Sequence, residues 1–151
     1  MLQESLTKLH AAPYELLTTP LEISLAQGLA ALGRFDEGIS FIEETIRRVE
    51  TNGDRVYMPE LLRVRGRMLL SNPQYSRDEA EGDFVRSLEL SRADGSRAWE
   101  LRTTTDLASL WAEQDRSGDA RALLLPVFEQ FTEGRDTDDL KAAEGLLASL
   151  I

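Results

Sequence analysis

The sequence predicts an all-α protein, a solenoid of about eight antiparallel helices, and three observations carry that prediction. Apolar residues return at spacings of three and four, with almost no alternation of the kind a strand would show. Capping and turn residues stand where these periodic runs begin and end. A small–large–turn–small–large order recurs along the chain, with Gly38, Ala80 and Ala120 standing 42 and 40 positions apart. A period near 40 with helical content is the mark of a stacked array of helix pairs.

Each element has its own reason. Leu2, Leu6 and Leu9 share one face of a short first helix, about residues 2–11. Pro13 and Pro20 bracket Tyr14-Glu15-Leu16-Leu17, a loop or single turn. Thr19-Pro20-Leu21-Glu22 opens the second helix, about 20–32. The Thr19 hydroxyl can accept from a first-turn amide, Pro20 has no amide to waste, and Glu22 can reach back to the Thr19 N–H. Phe35, Ile39, Ile42, Ile46 and Val49 form the stripe of the third helix, about 36–51, which Asn52-Gly53 ends with a left-handed residue. A fourth runs over about 56–71. Ser76-Arg77-Asp78-Glu79 is a second capping box and opens a fifth over about 77–93, ended by Asp94-Gly95. The sixth covers about 97–114. Ala120, Leu124, Val127 and Phe131 line the seventh, about 118–131, which Pro126 should kink. After Glu133-Gly134, the stripe Leu140, Ala143, Leu147 and Leu150 marks the last, about 137–150.

Composition bounds the function. At 151 residues the chain reads as a single domain, 1–151, with hairpins at about 20–51, 56–93 and 97–131 and a capping helix at 137–150. Acidic residues outnumber basic ones, 27 to 17, and the net charge of -10 repels phosphate backbones, so no nucleic-acid partner is expected. There is no cysteine, hence no disulfide and no thiolate metal site. The opening "MLQESLTKLH" has no cationic segment ahead of an apolar core, and the longest apolar run, Ala122 to Phe128, is interrupted by Pro126. The expectation is a cytoplasmic protein without a membrane partner.

Three segments carry the repeat: "LAQGLAALGRFDEGISFIEET", "RGRMLLSNPQYSRDEAEGDFVRS" and "LASLWAEQDRSGDARALLLPV". Late in each first helix stands a small residue, Ala26, Gly66 or Ala108, and three positions on a large one, Leu29, Leu69 or Trp111. After the turn come Gly38, Ala80 or Ala120, and four positions later Ile42, Phe84 or Leu124. Small residues let two helices approach, and large ones fill the space toward the next repeat. This order resembles the tetratricopeptide repeat, with longer helices than its usual unit. The last third, with "AWELR", "LASLW" and "FTEGRDTDDLKAA", resembles the C-terminal repeat region of bacterial signalling proteins that carry a STAND-type ATPase or an adenylate/guanylate cyclase domain upstream. The resemblance covers about residues 14–150. It departs at Gly38, where the family prefers alanine, and this chain holds neither catalytic domain.

The candidate sites weigh unevenly. Gly28-Leu-Ala-Ala-Leu-Gly33 matches half a phosphate loop, but Arg34 and Phe35 stand where Lys and Ser/Thr are needed, and no strand precedes it. His10 is the only histidine, so no histidine metal cluster exists and a triad would have one possible base. Asp136-Thr-Asp138-Asp139 begins like a calcium loop, yet Lys141 and Leu147 occupy the positions of its Gly and Glu; these acids suit the first turn of a helix. Glu43-Glu44 reads as a solvated face, Trp111 and Phe84 as core, and Trp99 as partly exposed. No metal, cofactor or catalytic set is expected.

The resemblance implies that the first helix of each repeat lines a concave face. Here that face would carry Ile23, Gln27, Ala30, Glu60, Arg63, Arg67, Arg102, Thr105 and Ser109. A basic strip on an acidic protein suits carboxylates of a peptide, although ion pairs with Glu60, Glu100 or Asp106 would claim the same arginines. The expected function is a non-catalytic protein-interaction or scaffold module that holds a protein or peptide segment, or its own upstream domains. A ligand-sensing arm with a small metabolite in the groove is the alternative. The last helix fits a cap, with Asp138, Asp139, Lys141, Glu144 and Ser149 toward water. The N-terminal end lacks one and is expected to self-associate.

Overall fold

The computed structural model describes residues 18–151. Among them every regular element is an α-helix: α1 Thr18–Ala31, α2 Phe35–Asn52, α3 Met58–Ser71, α4 Arg77–Ala93, α5 Arg97–Glu113, α6 Ser117–Glu129 and α7 Asp138–Ser149. These are the helices the periodicity predicts, within a few residues at each end. The helix expected at 2–11, with His10, Tyr14 and the apolar end meant to self-associate, lies outside the described residues.

Two boundaries differ for physical reasons. Thr18 and Thr19 are already helical and buried, so Thr19 is not the cap. Glu22, only 3% exposed, gives both carboxylate oxygens to the Arg48 guanidinium, one of them at 2.7 Å. A carboxylate taken out of water needs a cation beside it. Helix α6 stops at Glu129, where Gln130 and Phe131 turn their N–H groups to Val127 and Phe128 in a tightened last turn. Gly134 therefore bends the following loop, at φ 70°, and does not cap the helix. The other punctuation stands as expected. Ser76 Oγ accepts the Asp78 amide at 3.1 Å, and Gly53 and Gly95 hold left-handed φ values of 73° and 67°.

The described chain divides into two compact units, with the boundary at Ala80 and Glu81 inside α4. In the first, α1 and α2 form a hairpin and α3 packs on both. Ile23, Ala26 and Leu29 of α1 are buried, as are Ile39, Ile42, Ile46 and Val49 of α2 and Met58, Leu61, Leu62, Met68 and Leu69 of α3. In the second unit α5 and α6 form the hairpin and α7 packs on both, around a core of Leu101, Ala108, Ala120, Leu124, Val127, Phe128, Leu140, Ala143 and Leu147. Each large side chain buried in this way contributes about 1.5–3 kcal/mol.

The repeat positions are packing positions. Ala26, Gly38, Gly66, Ala80, Ala108 and Ala120 are all buried, and so are Leu29, Leu69, Ile42, Phe84 and Leu124. Gly38 has a specific reason. A Cβ there would stand 2.5 Å from the Met68 methyl and 3.0 Å from the Ala26 carbonyl oxygen, so the sulfur side chain fills the space an alanine would take. Trp111, expected in the core, is only half-buried. Its indole N–H donates to Glu81 at 2.8 Å, and the Arg116 guanidinium lies 4.3 Å from the ring centroid. An indole is too large to vanish and its N–H needs an acceptor, so the ring stays at the edge of the core.

Candidate functional site

Six residues of the first unit enclose a recess of 260 Å³ between α1 and α3: Gln27, Ala30, Val64, Arg67, Met68 and Ser71. The last four fall at i, i+3, i+4 and i+7, one face of α3, and Gln27 and Ala30 are three apart on α1. Val64 and Met68 are buried and form the floor. Arg67 is exposed, and among the described residues its guanidinium makes no hydrogen bond or ion pair. Ser71 Oγ donates to the Arg67 carbonyl at 3.0 Å, which leaves its lone pairs and the Gln27 amide for solvent or a guest.

The remainder of the expected concave strip is otherwise engaged. Arg63 is buried at 7% exposure and grips Glu60 with two hydrogen bonds, Nε to Oε2 at 2.9 Å and Nη2 to Oε1 at 2.7 Å. A guanidinium three residues from a carboxylate on one helix can close this fork locally, and burial then requires it. Neither side chain is left for a guest. Ile23 is buried in the core. In the second unit Arg102, Thr105 and Ser109 share one face of α5 and are half-buried. Arg102 Nε donates to Asp139 at 2.7 Å, and Thr105 Oγ1 donates to the Leu101 carbonyl at 2.8 Å. The recess therefore keeps Gln27, Ala30 and Arg67 from the expected strip and adds Val64, Met68 and Ser71. The signal for those three was the helical spacing around Arg67.

The outer face of α2 has the opposite sign. Asp36, Glu37, Ser40 and Glu44 rim a second recess over Leu29 and Phe41. Asp36 accepts from the Tyr75 hydroxyl at 3.1 Å and from the Asn72 amide at 3.2 Å. Partial burial, then the Asp36 hydrogen bond, pushes the Tyr75 phenol above its ordinary range. The hydrogen bonds from Arg34 hold the Glu37 carboxyl below the usual carboxylate range. These acids are thus largely spoken for.

The other sequence motifs resolve into structure. Gly28 lies within α1, Gly33 is a left-handed turn residue at φ 77°, and no strand stands among the described residues. Asp138 and Asp139 sit in the first turn of α7 behind an extended Thr137. Among the described residues no group of three His, Cys, Asp or Glu could hold a metal ion. None of the described helices is long and apolar enough to cross a membrane. Comparison with protein-family models, curated proteins and solved structures finds no match to this chain.

Proposed function

We propose that this chain is a non-catalytic interaction module, an α-solenoid of tetratricopeptide-like hairpins whose first helices hold an acidic protein or peptide segment. The observation that carries this reading is Arg67: a guanidinium with no hydrogen bond or ion pair among the described residues, over an apolar floor and beside the Gln27 amide and the Ser71 hydroxyl, on a protein of net charge -10. Such a recess offers a carboxylate a fork of donors that the surrounding field otherwise withholds. The buried small and large positions at spacings of 42 and 40 support the repeat architecture. The proposed context is the one its sequence resembles, the C-terminal repeat region of a bacterial signalling protein with an ATPase or cyclase domain upstream.

The test separates Arg67 from Arg63. An array of acidic peptides, free and amidated at the C-terminus, is titrated against the full chain and against Arg67→Glu. The expected result is saturable binding that Arg67→Glu weakens by about tenfold or more, with the melting temperature unchanged. Arg63→Glu is expected to lower the melting temperature, because it replaces a buried guanidinium beside Glu60 with a second carboxylate at a buried position. Equal peptide binding by wild type and Arg67→Glu would remove the recess from the function.

A further inference from the structure

We propose a second binding site, in the C-terminal unit, for a small organic cation with an aromatic or aliphatic body. It shares no residue with the peptide recess and does not depend on it. A recess of 280 Å³ opens where α5 and α7 begin, closed on one side by the α6–α7 loop. Ala98 and Leu101 of α5, Phe131 of the loop and Leu140 of α7 form mostly apolar walls. This volume lies at the lower edge of the range for small-molecule sites, room for about one ring and a short arm.

The sign of the guest follows from the charges. The ionisable residues lining the recess are Glu133 and Asp139, both carboxylates. Asp139 gives one oxygen to Arg102, while Glu133 has no hydrogen bond or ion pair among the described residues. The positive end of the α7 dipole is already met by Asp138 and Asp139 in the first turn. Arg135, the cation of the loop, lies over the Phe128 ring at 5.1 Å from its centroid and does not line the recess. The uncompensated charge is therefore negative, carried by an exposed Glu133 at the mouth of a recess whose inner walls, Leu101 and Leu140, are buried and apolar. Phe131, also in the lining, gives the organic body of such a guest an aromatic surface to pack on. An anion of the same shape would face Glu133 unshielded.

Three probes of one shape test this on the full chain: phenethylammonium, 2-phenylethanol and phenylacetate, titrated while amide resonances are followed. The cation should bind about tenfold more tightly than the neutral alcohol and the anion least, with shifts centred on Ala98, Phe131, Gly134 and Leu140. Glu133→Gln should abolish the preference for the cation, while Glu89→Gln, an equal charge change on an exposed face of α4, should leave it intact. Ala98→Phe, at an exposed position, should block all three probes without loss of fold. The proposal is overturned by equal affinities for the three probes, by shifts centred elsewhere, or by no saturation up to about 10 mM.

Discussion

At the scale of single residues, two packing details carry most of the consequence. Thr104 is fully buried on α5, and its hydroxyl oxygen has no hydrogen-bond partner among the described residues. Its neighbour Thr103 shows the alternative, a hydroxyl paired with Ser87 at 2.9 Å. An orphaned buried hydroxyl carries its desolvation cost unrepaid, so Thr104→Val should stabilise the fold by about 1 kcal/mol, or ~2–4 °C in melting temperature. Thr103→Val should do the reverse, because it removes a buried hydrogen bond to Ser87; calorimetry on the two variants measures both signs. Gly38 and Met68 form a second such pair, since the methionine tip occupies the place of the missing Cβ. Gly38→Ala should be less costly in a Met68→Ala background, with a coupling of about 0.5–1 kcal/mol in a double-mutant cycle. Additive effects would show that the close approach to the Ala26 carbonyl governs the glycine instead.

At the scale of elements, two hairpin turns share one closure, which the α4–α5 turn at Gly95 also shows with Ser96 N–H to Ser91 O at 2.8 Å. Gly33 between α1 and α2, and Asp115 between α5 and α6, both take left-handed φ, 77° and 61°. The next amide closes each helix in the same way, Arg34 N–H to Leu29 O and Arg116 N–H to Trp111 O, both at 2.9 Å. Each arginine then pairs with an acid three residues on, Arg34 with Glu37 and Arg116 with Asp119. The α1–α2 and α5–α6 hairpins thus share their hydrogen-bond geometry as well as the arginine–acid spacing that follows it. The two positions differ in strain, because only glycine adopts this conformation freely. Gly33→Ala should cost about 1 kcal/mol and Asp115→Gly should gain several tenths, measured by urea unfolding. The expected surface pairs contribute little to this balance, as exposed ion pairs usually do.

At the scale of the whole molecule, the net charge of -10 is the dominant long-range property. Self-repulsion is screened as ionic strength rises, so the melting temperature should increase from about 0.01 M to 0.15 M salt. The same field should prevent retention of duplex DNA in a mobility-shift assay at moderate salt; a retained band would reveal a basic surface that the charge balance hides.

Helix positions, their turns and the small–large packing order were legible in the chain itself. Helix periodicity, a proline at a first turn and a glycine at a left-handed stop are all decided within a few residues of sequence. The core followed for the same reason, with Trp111 the exception because its size and N–H tie it to Glu81 across the fold. The candidate site was only partly legible. The sequence placed arginines on one face of α3, but which of them is engaged depended on Glu60 reaching Arg63 and on no carboxylate of the described residues reaching Arg67. Likewise Glu22 read as a cap until Arg48, 26 positions away, claimed it. Local backbone chemistry is written in neighbouring residues; the pairing of charges is settled by which distant side chains folding brings within hydrogen-bond reach, and only the tertiary structure decides that.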